Sequence, residues 1–213
     1  MLGSRVLPDL IYDQVRERIL SGELKPGGPV RQDALAGALG VSKIPVREAL
    51  ARLESDVLVQ LNPRRGFEVP PLTAAEAEEV FELRLLIEPA AAGLGSRMAG
   101  DADRQVAYAA LGALDAAMRE EGAPSSDLNR DFHLALVRPA DRPLTTSLVD
   151  RLHTLAERYV RAHLAPEGRA QRARREHAEL LQAWMLGHSD EVEARLSEHI
   201  ISTMADLRGQ LSA

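Results

Sequence analysis

Leu39-Gly-Val-Ser-Lys-Ile-Pro-Val-Arg-Glu-Ala-Leu-Ala-Arg-Leu-Glu54 reads as a tight turn followed by an amphipathic helix. Ser42 has the chemistry of an N-cap, because its hydroxyl can accept from an unpaired N–H of the first turn. Pro45 falls inside that turn, where a missing N–H costs little. Val46, Ala49, Leu50 and Leu53 recur at helical spacing and mark the buried stripe. Lys43 and Arg47, four apart, share an exposed face. A basic face at a helix N-terminus, just after a Gly-containing turn, suits the second helix of a helix-turn-helix entering a major groove. On these residues alone, an ordinary surface helix with solvated charges fits as well.

The flanking sequence extends the pattern. A first helix is expected over 9–21, with Leu10, Ile11, Val15, Ile19 and Leu20 inward and Gly22 at its stop. Residues 24–30, rich in Pro and Gly, read as a turn-rich connection. Gln32 to Leu39 gives a short second helix, and Gly40 permits the sharp turn. Beyond Glu54, the β-prone runs 57–61 and 66–69 flank Asn62-Pro-Arg-Arg-Gly66. Three helices and a hairpin make a winged helix-turn-helix. Arg64 and Arg65 at the tip suit a phosphate or minor-groove contact, though a plain surface hairpin is the alternative.

Pro70-Pro71 is a stiff linker and the expected boundary between a DNA-binding domain, 1–70, and a second domain, 71–213. Helical periodicity dominates the second. Thr73-Ala-Ala-Glu76 is a capping box opening a helix to about Arg97. Asp101 is placed to cap a helix through Met118, and Ser125 or Ser126 one through Val137. Pro143 is read as an interruption before a helix over 145–164, which Pro166 and Gly168 break. Two more follow, over 169–186 and from a Ser189 cap to about Gly209. The fold class is therefore mainly α: a winged helix-turn-helix plus an all-α antiparallel bundle.

Composition narrows the function. The 213 residues are 45% hydrophobic and 27% charged but only 3% aromatic, with no cysteine. Disulfides, zinc–thiolate sites and Cys nucleophiles are excluded. No apolar run approaches a membrane span, so no membrane association and a cytoplasmic location are expected. The net charge of −6 is uneven: the first 70 residues hold 10 Lys and Arg against 9 Asp and Glu, the rest 16 against 23. DNA binding by so neutral a domain must rest on a small cluster of cations, with affinity dependent on salt and dimerisation.

Leu39 to Leu50, Leu53-Glu54, Pro63-x-Arg65-Gly66 and Val69 resemble the GntR type of transcription regulator, as do Ile19-Leu-Ser-Gly22 and Leu24-x-Pro-Gly27. The later part resembles the FadR-like subgroup with an FCD effector domain. Its matches are Leu83-Arg84…Glu88, Asn129-x-x-Phe132-His133, Glu176-His177…Leu180 and His199-Ile200. The resemblance implies a homodimer binding a palindromic double-stranded operator, with DNA affinity tuned by a small organic acid. It places DNA reading on Ser42, Lys43, Ile44 and Arg47, with Arg65 and Gly66 in the wing. Departures are specific. Lys43 stands where relatives carry Arg and lacks the bidentate fork for guanine. Ile44 replaces Thr and offers only apolar contact. Ala51 replaces a basic residue, and Val57 replaces a Gly suited to a left-handed cap, so the join between helix and wing is expected to differ.

Asn129 and His133 are four apart on one expected helix, and His177 and His199 lie on two others. From sequence alone they are ordinary core or surface histidines. The resemblance implies a divalent metal, zinc or alternatively nickel, held at these four positions, with Asn129 in place of an Asp. A neutral amide there leaves a position for the effector's carboxylate. His153, His163 and His188 match no ligand position and are read as structural or exposed. Arg84 is the expected clamp for that carboxylate, with an intrahelical pair to Glu88 as the alternative; Arg158 is a second candidate. The chain is expected not to be an enzyme. Rival readings are a helical metal-dependent hydrolase using the His cluster, and a constitutive DNA-binding protein with a non-responsive pocket. No carboxylate spacing marks a general base, and there is no phosphate-binding glycine loop.

Overall fold

The computed structural model describes residues 7–63, 65–119, 126–163 and 168–211, and divides into two compact units, Met1–Thr73 and Ala74–Ala213. Arg64, Ser125 and Pro166 lie outside the described residues, as does the side chain of His163.

The first unit runs α1 (Leu7–Leu20), β1 (Pro29–Val30), α2 (Gln32–Leu39), α3 (Lys43–Ser55), β2 (Gln60–Asn62) and β3 (Gly66–Glu68). Ile11, Val15 and Ile19 of α1 pack with Leu35 of α2 and with Val46, Ala49, Leu50 and Leu53 of α3. The expected stripe of α3 is thus its buried face. Gly40, at φ +66°, closes α2 and makes the turn. Ser42 holds the N-cap position with extended backbone, but its hydroxyl makes no capping hydrogen bond.

The wing has three strands rather than two. β3 is central, pairing antiparallel with β2 and with β1. β1 comes from the turn-rich connection; two residues opening with Pro carry no legible strand period, and Pro at a strand's first position is tolerated. Val57 corrects the expectation of an altered join: it takes the left-handed conformation itself, at φ +60°. Its N–H donates to the Glu54 carbonyl (3.0 Å) and the Leu58 N–H to that of Leu53 (2.9 Å), so the helix end is closed as glycine would close it.

The second unit comprises α4 (Ala74–Met98), α5 (Asp101–Ala117), α6 (Ser126–Val137), a 3-10 turn (Arg138–Ala140), α7 (Pro143–His163), α8 (Arg169–Met185) and α9 (Ser189–Leu211). α4 is its axis, packed on α6, α7, α8 and α9. Phe81, Phe132, Tyr159 and Trp184 are fully buried among Ala and Leu. Gly95 lets α4 touch α6: a Cβ there would lie 2.2 Å from the Leu136 carbonyl oxygen. That oxygen accepts from Trp184 Nε1–H at 3.0 Å, so three helices meet at one point. Three expected boundaries change. Pro143 begins α7 instead of interrupting it, because an N-terminal residue needs no N–H. Asp101 is the first residue of α5, and Asp103 makes the capping bond, accepting from Gly100 N–H at 2.9 Å. Ser189 is the first residue of α9, and its hydroxyl accepts from Arg97.

Candidate functional site

In the first unit, the residues expected to read DNA all lie on the surface. Ser42 is exposed at the N-cap of α3, and Lys43, Ile44 and Arg47 are exposed along the helix, outside its buried stripe. Ile44, an apolar side chain, is 62% exposed. Lys43 Nζ lies 2.8 Å from Asp33 Oδ1 of α2, so this cation already has an anion partner. Arg65 and Gly66 are exposed at the start of β3. Arg65 N–H donates to the Asn62 carbonyl (3.1 Å), and Gly66 has φ +80°, which explains glycine at the tip on conformational grounds. The far end of α3 is braced to α1: Tyr12 Oη–H donates to Asp56 (2.6 Å), Arg52 pairs with Asp9, and the Arg52 guanidinium stacks 4.7 Å over the Tyr12 ring.

In the second unit the structure brings His133 (α6), His177 (α8) and His199 (α9) together, with one ring nitrogen of each within 4.8 Å of the others. All three are buried. His177 Nε2 faces His199 Nε2 at 3.3 Å, while His199 Nδ1 lies 2.7 Å from Glu176 Oε2. His133 Nδ1 lies 2.6 Å from Glu88 Oε1, and its Nε2 is buried with no hydrogen-bond partner among the described residues. His177 Nδ1 is likewise buried without one. Histidine nitrogens that converge from three helices, one of them orphaned, fit a divalent cation of the zinc type. Asn129 stands one turn before His133 on α6 and is half-buried.

Burial sets the protonation states. It pushes His133 down to about 4 despite the adjacent Glu88 carboxylate. His177 falls well below the usual histidine range through burial, with His199 and His133 adding to it. Burial also lowers His199 and His153, against the pull of Glu176 and Glu88. The cluster is therefore neutral at pH 7, the state a metal requires. For Glu88, burial acts upward, but Arg84, His153 and His133 outweigh it and hold the carboxyl well below its ordinary range.

Of the two readings left for His153, structural or exposed, the structure has the first: it is buried on α7, with Nε2 3.0 Å from Glu88 Oε1. The signal was present, since His153 shares the apolar face of Val149, Leu152 and Ala156. His188 is exposed beside Glu191, as expected. Arg84 takes the intrahelical alternative, with Nε donating to Glu88 Oε2 at 2.9 Å and the guanidinium 5.3 Å over Phe81. Arg158 is buried on α7, its Nη1 3.9 Å from Glu76 Oε1. Sequence reasoning missed Glu88 as a partner of histidines because they lie 45 and 65 residues away. No helix among the described residues is long and apolar enough to cross a membrane.

Comparison with known proteins agrees with both units. Residues 8–69 match bacterial regulatory proteins, gntR family, and residues 79–202 match the FCD domain. The HTH-type transcriptional regulator YdhC of Bacillus subtilis (strain 168) is 28% identical over 173 residues, covering 80% of this chain and 77% of that one. The HTH-type transcriptional repressor RspR of Escherichia coli (strain K12) is 26% identical over 194 residues, 89% of this chain and 84% of its own. Among solved structures, E. coli McbR/YncC superposes with a TM-score of 0.83 at 24% identity, covering 97% of this chain and 99% of that one, a likeness of fold. These relatives are regulators of transcription and not enzymes, which removes the hydrolase reading. The chain thus belongs to the gntR family, as a DNA-binding transcription regulator with an FCD domain.

Proposed function

We propose that the protein is a metabolite-responsive regulator that binds a palindromic operator as a homodimer and acts in the cytoplasm. Domain 1–70 would supply DNA contacts through Ser42, Lys43, Ile44, Arg47, Arg65 and Gly66. Domain 71–213 would dimerise and hold a small organic acid beside a divalent metal, zinc or nickel. The convergence of His133, His177 and His199, with His133 Nε2 orphaned in a buried site, is the observation that carries the metal reading. A bound metal would supply a fixed positive charge for the effector's carboxylate. His133, His177 and His199 would hold it, and Asn129 would leave the shell without an anion of its own. Arg84 is committed to Glu88, so clamping by Arg84 would require exchange of that pair; Arg158 is another buried cation of the bundle. An effector switches the protein only if it prefers one of two states that differ in DNA affinity.

Gel-shift titration with operator DNA from the neighbouring promoter, at several salt concentrations and with a panel of hydroxy and dicarboxylic acids, tests the reading. Salt-dependent specific binding that one acid changes at least fivefold is expected. Specific binding indifferent to every acid would instead favour a constitutive regulator.

A further inference from the structure

Glu88 is wholly buried on α4 and receives donors from three helices. His133 Nδ1 (2.6 Å) and His153 Nε2 (3.0 Å) meet its Oε1, and Arg84 Nε (2.9 Å) meets its Oε2. By residue type, Glu88, His133 and His153 could form a second cation site. Two observations oppose that. The spacings are those of hydrogen bonds made directly between the groups. The Arg84 guanidinium already sits on the same carboxylate, and a second cation beside it would be repelled strongly in a low-dielectric interior.

The remaining role is orientation. A carboxylate facing Nδ1 accepts its proton's hydrogen bond, which fixes that tautomer and leaves Nε2 as a lone pair. His133 Nε2 is the buried atom that has no partner. Glu176 repeats the arrangement on His199, 2.7 Å from Nδ1, and leaves His199 Nε2 facing His177. Two carboxylates on different helices thus prepare two of the three convergent nitrogens. Arg84, bonded to the far edge of Glu88, holds that carboxylate in place.

We infer that Glu88 is a positioning residue of the metal site, acting through His133 with Arg84 as its own anchor, and that Glu176 serves His199 in the same way. The inference rests on the metal reading given above. Carboxylates in this position raise the basicity of the imidazole they hold, and their loss typically costs about 10–100-fold in metal affinity.

Zinc affinity of the full chain, measured by competition with a chromogenic chelator, tests it. Glu88→Gln is expected to weaken zinc binding about 10–100-fold. The double variant Arg84→Met/Glu88→Gln, which leaves no unpaired buried guanidinium, should show the same loss. Glu191→Gln, an exposed carboxylate on α9, should bind zinc as the unaltered protein does. Imidazole nitrogen NMR of the metal-free, unaltered protein gives a readout that does not depend on variants folding: His133 and His199 should each carry the proton on Nδ1. Unchanged zinc affinity in both Glu88 variants, or a proton on His133 Nε2, overturns the inference while leaving the metal site standing. Failure of the unaltered protein to bind zinc or nickel overturns both.

Discussion

His177 and His199 face each other Nε2 to Nε2 across 3.3 Å, one from α8 and one from α9. If Glu176 holds the proton on His199 Nδ1, as inferred above, His199 Nε2 is an acceptor, to which His177 donates when no cation lies between them. Zinc added to chelator-treated protein should therefore raise the melting temperature of the helical unit by several degrees. A ligand at 100 times its Kd stabilises by about 2.7 kcal/mol. His177→Ala should abolish the zinc-dependent rise. Equal rises in both proteins, followed by differential scanning fluorimetry, would place the metal elsewhere.

Acid should destabilise the metal-free protein. His133 titrates at about 4 when folded, against about 6.5 in an unfolded chain. Between those values the unfolded state takes up the proton and the folded state does not. The contribution to stability is full above pH 6.5 and falls by about 1.4 kcal/mol per pH unit until about pH 4. His153, His177 and His199, also lowered, act in the same direction. Glu88, held low, is lost only at still lower pH. Urea titrations between pH 7.5 and 4.5 in chelator read this directly; a flat profile contradicts it.

Val57 pays for its left-handed backbone with a β-branched side chain. Relief of that strain is worth ~2 kcal/mol, offset by ~1 kcal/mol for glycine's extra freedom and lost burial. Val57→Gly should stabilise the first unit by ~1 kcal/mol. Val57→Ala, which trims the side chain without freeing φ, should not stabilise it. The pair is compared by denaturant midpoint at equal m-value.

Gly95→Ala should cost ~2–3 kcal/mol, although alanine favours helices elsewhere. The new Cβ would collide with the Leu136 backbone carbonyl, which cannot rotate away, and would disturb its bond from Trp184. Thermal unfolding measures the loss. Gly112→Ala on α5, whose Cβ would meet open space, should be neutral or stabilising.

The Lys43–Asp33 pair restrains a cation proposed to contact DNA. Asp33→Asn should tighten non-specific DNA binding about two- to five-fold at low salt, as expected for freeing an exposed pair and removing one anion. Lys43→Arg with Ile44→Thr should instead shift the preferred operator sequence, read by binding selection from a randomised library. Unchanged preference would mean these two side chains do not set specificity.

Much of this architecture was legible because its signals are local. The α3 stripe, Gly40 and the i,i+4 pairs all act within one turn. β1 was not legible: two residues beside a proline gain their strand character only from β3, 37 residues on. The same limit hid half of the histidine site. His133, His177 and His199 came through resemblance, whereas Glu88 and His153 join them only when α4, α6 and α7 pack. Ser42 shows the converse, a residue with capping chemistry whose hydroxyl does not cap.

Trp184 is the sole indole in the chain. It is buried on α8 two turns beyond His177, and its N–H is bonded to the carbonyl of Leu136, three residues after His133 on α6. Excited at the red edge of absorption, the protein therefore has a single emitter, stationed where the helices that carry His133 and His177 touch. Any ligand that slides α8 along α6 must stretch that bond and change the colour or intensity of its fluorescence. Such a movement would be readable on the protein itself, without a label.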